Sequence, residues 1–190
     1  MTVEIVQNNN VWIETYSGKR FNLLNPDSEM VDITDIAHAL SNTCRFGGHS
    51  REFYSVAQHC VLCSKVAPEA ISLQALLHDA PEAYINDIPT PVKGLLPQYK
   101  QLEDKIWKII ANKYKVSEIM DPLIKEIDRR MLVTEARDLM HCNNEWVDEM
   151  EMDRYPIPLQ VWTPKEAKEE FLKRFRRLRM RAKNRKDTND

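Results

Sequence analysis

The stretch ALLHDAPEAYINDIPTPVK, residues 75–93, carries His78, Asp79, Glu82, Asp87 and Lys93 within sixteen positions. Imidazoles and carboxylates share divalent ions, and carboxylates held next to such an ion move protons. A histidine bonded to a neighbouring acid is also an ordinary way to end a helix, so the His78-Asp79 pair alone decides nothing. Two distant residues carry the argument further. His59 lies in YSVAQHCVLCSKVA, on the helical face shared with Val56 and Cys63, and its imidazole is predicted to point inward. Asp128 follows Ile124 and Ile127 and precedes Met131 in DPLIKEIDRRML, so its carboxylate comes from or beside the buried stripe. A buried carboxylate without a partner is costly, and a cation shared with the two histidines supplies one. Two imidazoles with two carboxylates suit one first-row divalent ion, Mn, Co, Fe, Ni or Zn, better than a hard ion that wants only oxygen. Four protein ligands on an octahedral ion leave two positions open, room for a water and one substrate atom.

Around this set, Glu82 falls three residues after Asp79, in the first turn beyond Pro81. It is the candidate general base or acid, against the plainer reading of an acid favoured by a helix dipole. Arg45, in SNTCRFGGHS, precedes an aromatic residue and a Gly-Gly pair, a loop able to bring a guanidinium close to an anion. Cys60 and Cys63 form a C-x-x-C without a second pair, and read as two small buried residues of a helix. His38 and His141 read as structural.

The elements that must position these residues are helical. Only four glycines occur in 190 residues, and segments of 3.6-residue period run between prolines. Helices are predicted near 34–42, 54–66, 69–79, 97–114, 121–142 and 163–182, the last opening on a capping box of Thr163, Pro164 and Glu166. VWIETYSGKRFNLL, with Ser17-Gly18 between two short alternating runs, predicts a β-hairpin before them. The expectation is an all-α bundle with a short N-terminal hairpin, in a single domain spanning 1–190. The formal charge of −2 excludes a nucleic-acid binder acting through its whole surface, yet residues 173–186 hold nine Lys and Arg and no acid. Their reading is a docking helix with a solvated cationic face, fraying into a basic, disordered tail over 183–190, with nucleic acid or another subunit as alternative partners. The start, MTVEIVQNNN, lacks the pattern of a secretory signal, no apolar run approaches a membrane span, and Cys44, Cys60, Cys63 and Cys142 show no disulfide framework. A cytoplasmic protein without disulfides is expected.

His59, His78-Asp79 and Asp128 together resemble the signature of the HD-domain metal-dependent phosphohydrolases: a histidine on one helix, a His-Asp doublet on the next and a distant helical aspartate. YSVAQHCVLCS, HDAPEAYINDIPTPVK and MLVTEARDL are similar to the matching segments of bacterial and prophage 5′-deoxynucleotidases and of phage dATP triphosphohydrolases, over about residues 11–140. The resemblance implies an HD-domain fold, catalytic roles for Glu82 and Asp87, and Arg45 and Lys93 gripping phosphate. It also implies Phe46 as a wall for sugar or base, with His49 nearby. Phe46 and Gly48 stand where related enzymes carry a tryptophan and a bulky aliphatic residue, which leaves the pocket roomy. The function implied is removal of phosphate from deoxynucleoside 5′-monophosphates. The alternatives are release of triphosphate from a deoxynucleoside triphosphate such as dATP, and a regulatory HD module binding DNA or a replication protein. Homo-oligomers are common in the family.

Overall fold

The computed structural model describes residues 11–141 and 145–187, with side chains as far as residue 183. Strands β1 (Trp12–Glu14) and β2 (Arg20–Asn22) pair antiparallel with Ile13 opposite Phe21. Between them the Gly18 N–H bonds the Thr15 carbonyl at 2.9 Å, and Gly18 takes φ 80°, a conformation that disfavours a Cβ. The hairpin expected around Ser17-Gly18 forms, and it is fixed at two points. Asp35 accepts hydrogen bonds from the Thr15 and Ser17 hydroxyls and the Ser17 N–H. Phe21 is buried and stacks on Tyr84 with ring centroids 3.8 Å apart.

Asp35 lies in the first turn of α1 (Ile33–Asn42), which starts at Asp32, whose carboxylate accepts from the Thr34 N–H. Helix α2 (Val56–Val66) is capped by Ser55, and Val56, Ala57, His59, Cys60, Val61 and Cys63 are all fully buried. A helix covered on nearly every side is a central one. α3 (Ser72–Leu77) packs beside it, and α9 (Pro164–Asp187) lies across α1, α2 and α3, burying Ala167, Phe171, Phe175 and Leu178. The Thr163–Glu166 capping box opens α9 reciprocally: Glu166 N–H to Thr163 Oγ1 at 3.3 Å, Thr163 N–H to Glu166 Oε2 at 2.8 Å. α6 (Pro97–Tyr114) adds Ile106, Trp107, Ile110, Ala111 and Tyr114 to the same core. α7 (Pro122–Leu139) buries Ile124, Ile127 and Met131 against Cys63 and Ala75, and Val133 and Ala136 against Val147 of α8 (Glu145–Asp148).

The architecture is the expected mostly helical one with a two-stranded hairpin. The boundaries differ in places. The segment expected over 69–79 is α-helical only at Ser72–Leu77, because the Ser72 hydroxyl turns back onto the Ala67 and Pro68 carbonyls. His78–Pro81 then form a turn into two short helices, α4 (Glu82–Ile85) and α5 (Thr90–Lys93), where loop was expected. α7 stops at Leu139, and Cys142 lies outside the described residues. α9 continues to Asp187, beyond the end expected near 182, since Arg, Lys and Ala are good helix formers. No described helix is long and apolar enough to cross a membrane.

Candidate active site

α2, the turn after α3, and α7 bring His59, His78, Asp79 and Asp128 to one point. His59 Nε2 lies 3.3 Å from His78 Nε2, 3.6 Å from Asp79 Oδ2 and 3.1 Å from Asp128 Oδ1. His78 Nε2 lies 3.3 Å from Asp79 Oδ2 and 4.0 Å from Asp128 Oδ1. Donors bound at about 2.1 Å to one ion stand about 3.0 Å apart when adjacent and about 4.2 Å apart when opposite. These separations fall in that range. The tautomers agree, because His59 Nδ1 is 2.7 Å from Glu135 Oε1 and His78 Nδ1 is 2.8 Å from the Ala75 carbonyl, both acceptors. Each Nδ1 therefore carries a proton, and the two Nε2 lone pairs face each other between two carboxylates, an arrangement that a cation relieves. The electrostatics of the site favour positive charge. Burial and the Arg45 guanidinium push the His59 pKa down, yet its acidic neighbours raise it on balance well above the ordinary imidazole value. Burial pushes Asp128 up, and His59 overrides it, holding that carboxyl far below the usual range. The donor set fits a first-row divalent ion.

Glu135 was not among the residues singled out by sequence. It is fully buried on α7 and accepts from His59 Nδ1 at 2.7 Å, the Tyr54 hydroxyl at 2.9 Å and Arg45 Nε at 3.0 Å. Burial favours its neutral form, but Arg45 and His59 outweigh that and hold its pKa below the usual value. It fixes the ring of His59 and the guanidinium of Arg45 together. A signal existed: Glu135 stands seven residues after Asp128, two turns along the same face of α7.

Arg45 is placed by backbone. Its N–H donates to the Tyr54 carbonyl at 2.8 Å, next to a bridge between Cys44 and Ser55. Farther along, Arg51 Nη2 donates to the Asp138 carbonyl at 2.6 Å, so the loop is pinned between the start of α2 and the end of α7. Arg45 is 9% exposed, with Nη1 3.7 Å from Asp79 Oδ2. Phe46, at φ 57°, has its ring centroid 5.7 Å from that guanidinium and packs against the Val133, Ala136 and Val147 cluster. A Cβ on Gly47 would stand 3.6 Å from Pro89 Cγ, so this turn faces the Asp87–Pro89 segment closely. His49 is exposed at the end of the turn.

Glu82, at the start of α4, is 3% exposed. Its Oε1 accepts from Lys93 Nζ at 2.8 Å, while Oε2 is buried without a hydrogen-bond partner among the described residues. Burial first, then Asp79 and Asp87, raise its pKa well above the ordinary value against the pull of Lys93. Asp87 is also raised by burial, with Arg45 pulling it down. Lys93 is bound a second time, to Glu103 Oε1 at 2.9 Å, so the cation expected to grip phosphate is clasped between two carboxylates. Cys60 and Cys63 are fully buried as read from sequence, and Cys63 Sγ also lies 3.5 Å from His59 Nε2.

This centre, on a helical core with a buried acid beside it, places the chain in the class of HD-domain hydrolases. Residues 49–148 match the family described as 5′-deoxynucleotidase YfbR-like. The matched segment contains His59, His78, Asp79, Glu82, Asp128 and Glu135, while Arg45 and Phe46 precede it. The chain is 50% identical over 128 residues to the uncharacterised protein YfdR of Escherichia coli K12, covering 67% of this chain and 72% of the relative. It is 32% identical over 136 residues to an uncharacterised protein of Rhodobacter capsulatus, covering 66% and 69%. The chain belongs to the YfbR-like family of HD-domain phosphohydrolases.

Proposed function

We propose that this protein hydrolyses deoxynucleoside 5′-monophosphates to deoxynucleoside and inorganic phosphate, with His59, His78, Asp79 and Asp128 holding one divalent ion. The observation that carries the reading is the convergence of those four side chains beside Glu82, whose Oε2 is buried and has no partner among the described residues. The ion, when bound, acidifies a water and neutralises charge on the phosphoryl group. Glu82, whose protonated form is favoured by burial and by Asp79, gives its proton to the departing 5′-oxygen as the bond from phosphorus to that oxygen breaks. Asp87, less buried and facing Arg45, takes the proton of the attacking water as the new phosphorus–oxygen bond forms. Lys93 holds Glu82 in place through its 2.8 Å bond, and Arg45 faces the phosphate.

The cation supply supports a monophosphate over a triphosphate. Arg45 is already shared with Glu135 and Asp79, and Lys93 with Glu82 and Glu103, which leaves these two cations little charge for a long polyanion. Incubation with mono- and triphosphates, ribo and deoxy, followed by chromatographic separation of products, tests the reading. Deoxynucleoside and inorganic phosphate from deoxynucleoside monophosphates are expected. Inorganic triphosphate as the chief product, with monophosphates untouched, would overturn the substrate assignment.

A further inference from the structure

We propose that Tyr99 of α6 is a positioning residue for Asp87: its hydroxyl holds the neighbouring Asn86 in a strained backbone conformation that directs Asp87 into the site. The proposal rests on the acid–base roles proposed above. Asn86 ends α4 with φ 64° and ψ 162°. Asparagine visits the left-handed helical region readily, but at this ψ the conformation belongs almost wholly to glycine, and a residue with a Cβ stays there only where its surroundings fix it. Strain of this kind gathers at functional sites, and here it stands immediately before Asp87. The Asn86 side chain is exposed, so its packing does not fix the backbone. The backbone's own hydrogen bonds do. The Asn86 N–H donates to the Glu82 carbonyl at 2.9 Å, and the Asn86 carbonyl accepts from the Tyr99 hydroxyl at 2.5 Å. That carbonyl belongs to the peptide joining Asn86 to Asp87, so the Tyr99 bond sets the direction in which the chain enters Asp87.

The same face of α6 holds the other end of this segment. Glu103, one turn after Tyr99, accepts from Lys93 Nζ at 2.9 Å, and that ammonium lies 5.5 Å from the Tyr99 ring centroid. Residues 86–93 are thus pinned to α6 at both ends, and Lys93 in turn bonds Glu82. Asp87, inside the pinned segment, is half-buried and within electrostatic reach of Arg45, Asp79 and His59. Burial raises the Tyr99 phenol above its ordinary pKa against the pull of Lys93, so the hydroxyl remains a donor at neutral pH.

Tyr99→Phe keeps the ring and removes the donor. It is assayed in manganese-loaded protein with the deoxynucleoside 5′-monophosphate that the wild type hydrolyses fastest, beside Asp87→Asn. In Tyr99→Phe, kcat is expected to fall about 10–100-fold, as for a catalytic group displaced by about an ångström, while KM and bound metal stay close to wild type. Adding Asn86→Gly makes the backbone conformation free of strain, and most of the lost kcat is expected to return. Unchanged kcat in Tyr99→Phe, with Asp87→Asn slow, overturns the proposal and leaves the acid–base reading standing. A fall in kcat that Asn86→Gly does not recover, or that only follows loss of bound metal, makes the hydroxyl a structural bond and overturns the proposal as well. Wild-type kcat in Asp87→Asn, or no hydrolysis by the wild-type protein, overturns both this proposal and the reading on which it rests.

Discussion

Glu82 and Glu135 are both buried glutamates within reach of the same centre, and their surroundings send them opposite ways. Glu135 meets three donors and is held ionised by Arg45 and His59 despite burial. Among the described residues Glu82 has one donor, Lys93, and its second oxygen has none, so burial and the adjacent carboxylates raise its pKa and favour its protonated form. The two should respond differently to the same substitution. Glu82→Gln removes the transferable proton and keeps the shape, so turnover is expected to fall about a hundredfold or more with metal content unchanged. Steady-state kinetics beside metal analysis checks this, and loss of the ion would instead make Glu82 a ligand. Glu135→Gln sets an amide against the N–H groups of His59 and Arg45, and a loss of about 10–100-fold in metal affinity is expected, read by competition with a chelator. Unchanged affinity would mean that Glu135 does not position His59. Asp79 and Asp128 were legible in the sequence because a doublet and an acid beside an apolar stripe stand out. Glu135 was not, because an acid at a helical position looks solvated until Tyr54 and Arg45, some eighty and ninety residues earlier, are seen to meet it.

At the level of elements, the helices whose period is written in apolar residues were legible, and the short turns that aim the chemistry were not. α6 and α7 follow their expected spans closely because Ile106 and Ile110, and Ile124, Ile127 and Met131, repeat at helical spacing. α4 and α5 are four residues each, too short for any period, and they form because the chain between them is fixed from outside. Tyr84 of α4 stacks on Phe21 of the hairpin, and the Tyr99 hydroxyl donates to the Asn86 carbonyl. The hairpin is thus a support for the turn that holds Glu82. α9 is expected to be the chief tertiary clamp on α1, α2 and α3. Phe171→Ala, at a fully buried position of α9, should lower stability by about 3–5 kcal/mol in urea titration. A midpoint equal to that of the wild type would show that α9 docks without contributing.

For the whole molecule, the ion and the proton compete for one place. In the ion-free protein the His59 pKa is raised, so the protonated ring stabilises the fold fully below the unfolded imidazole value of about 6.5. That contribution is lost as pH rises through the raised value. An ion must displace this proton, so metal affinity is expected to weaken about tenfold per pH unit on acidification below the His59 pKa. Calorimetric titration with manganese across a pH series reads this directly, and a flat profile would mean that His59 is not a ligand. The most direct test of the account is phosphate release from a deoxynucleoside 5′-monophosphate by one preparation in three states: as purified, stripped by chelator, and reloaded with manganese or cobalt. The account predicts activity that disappears on stripping and returns on reloading, and that does not return in Asp128→Ala. Full activity in the stripped protein would contradict it.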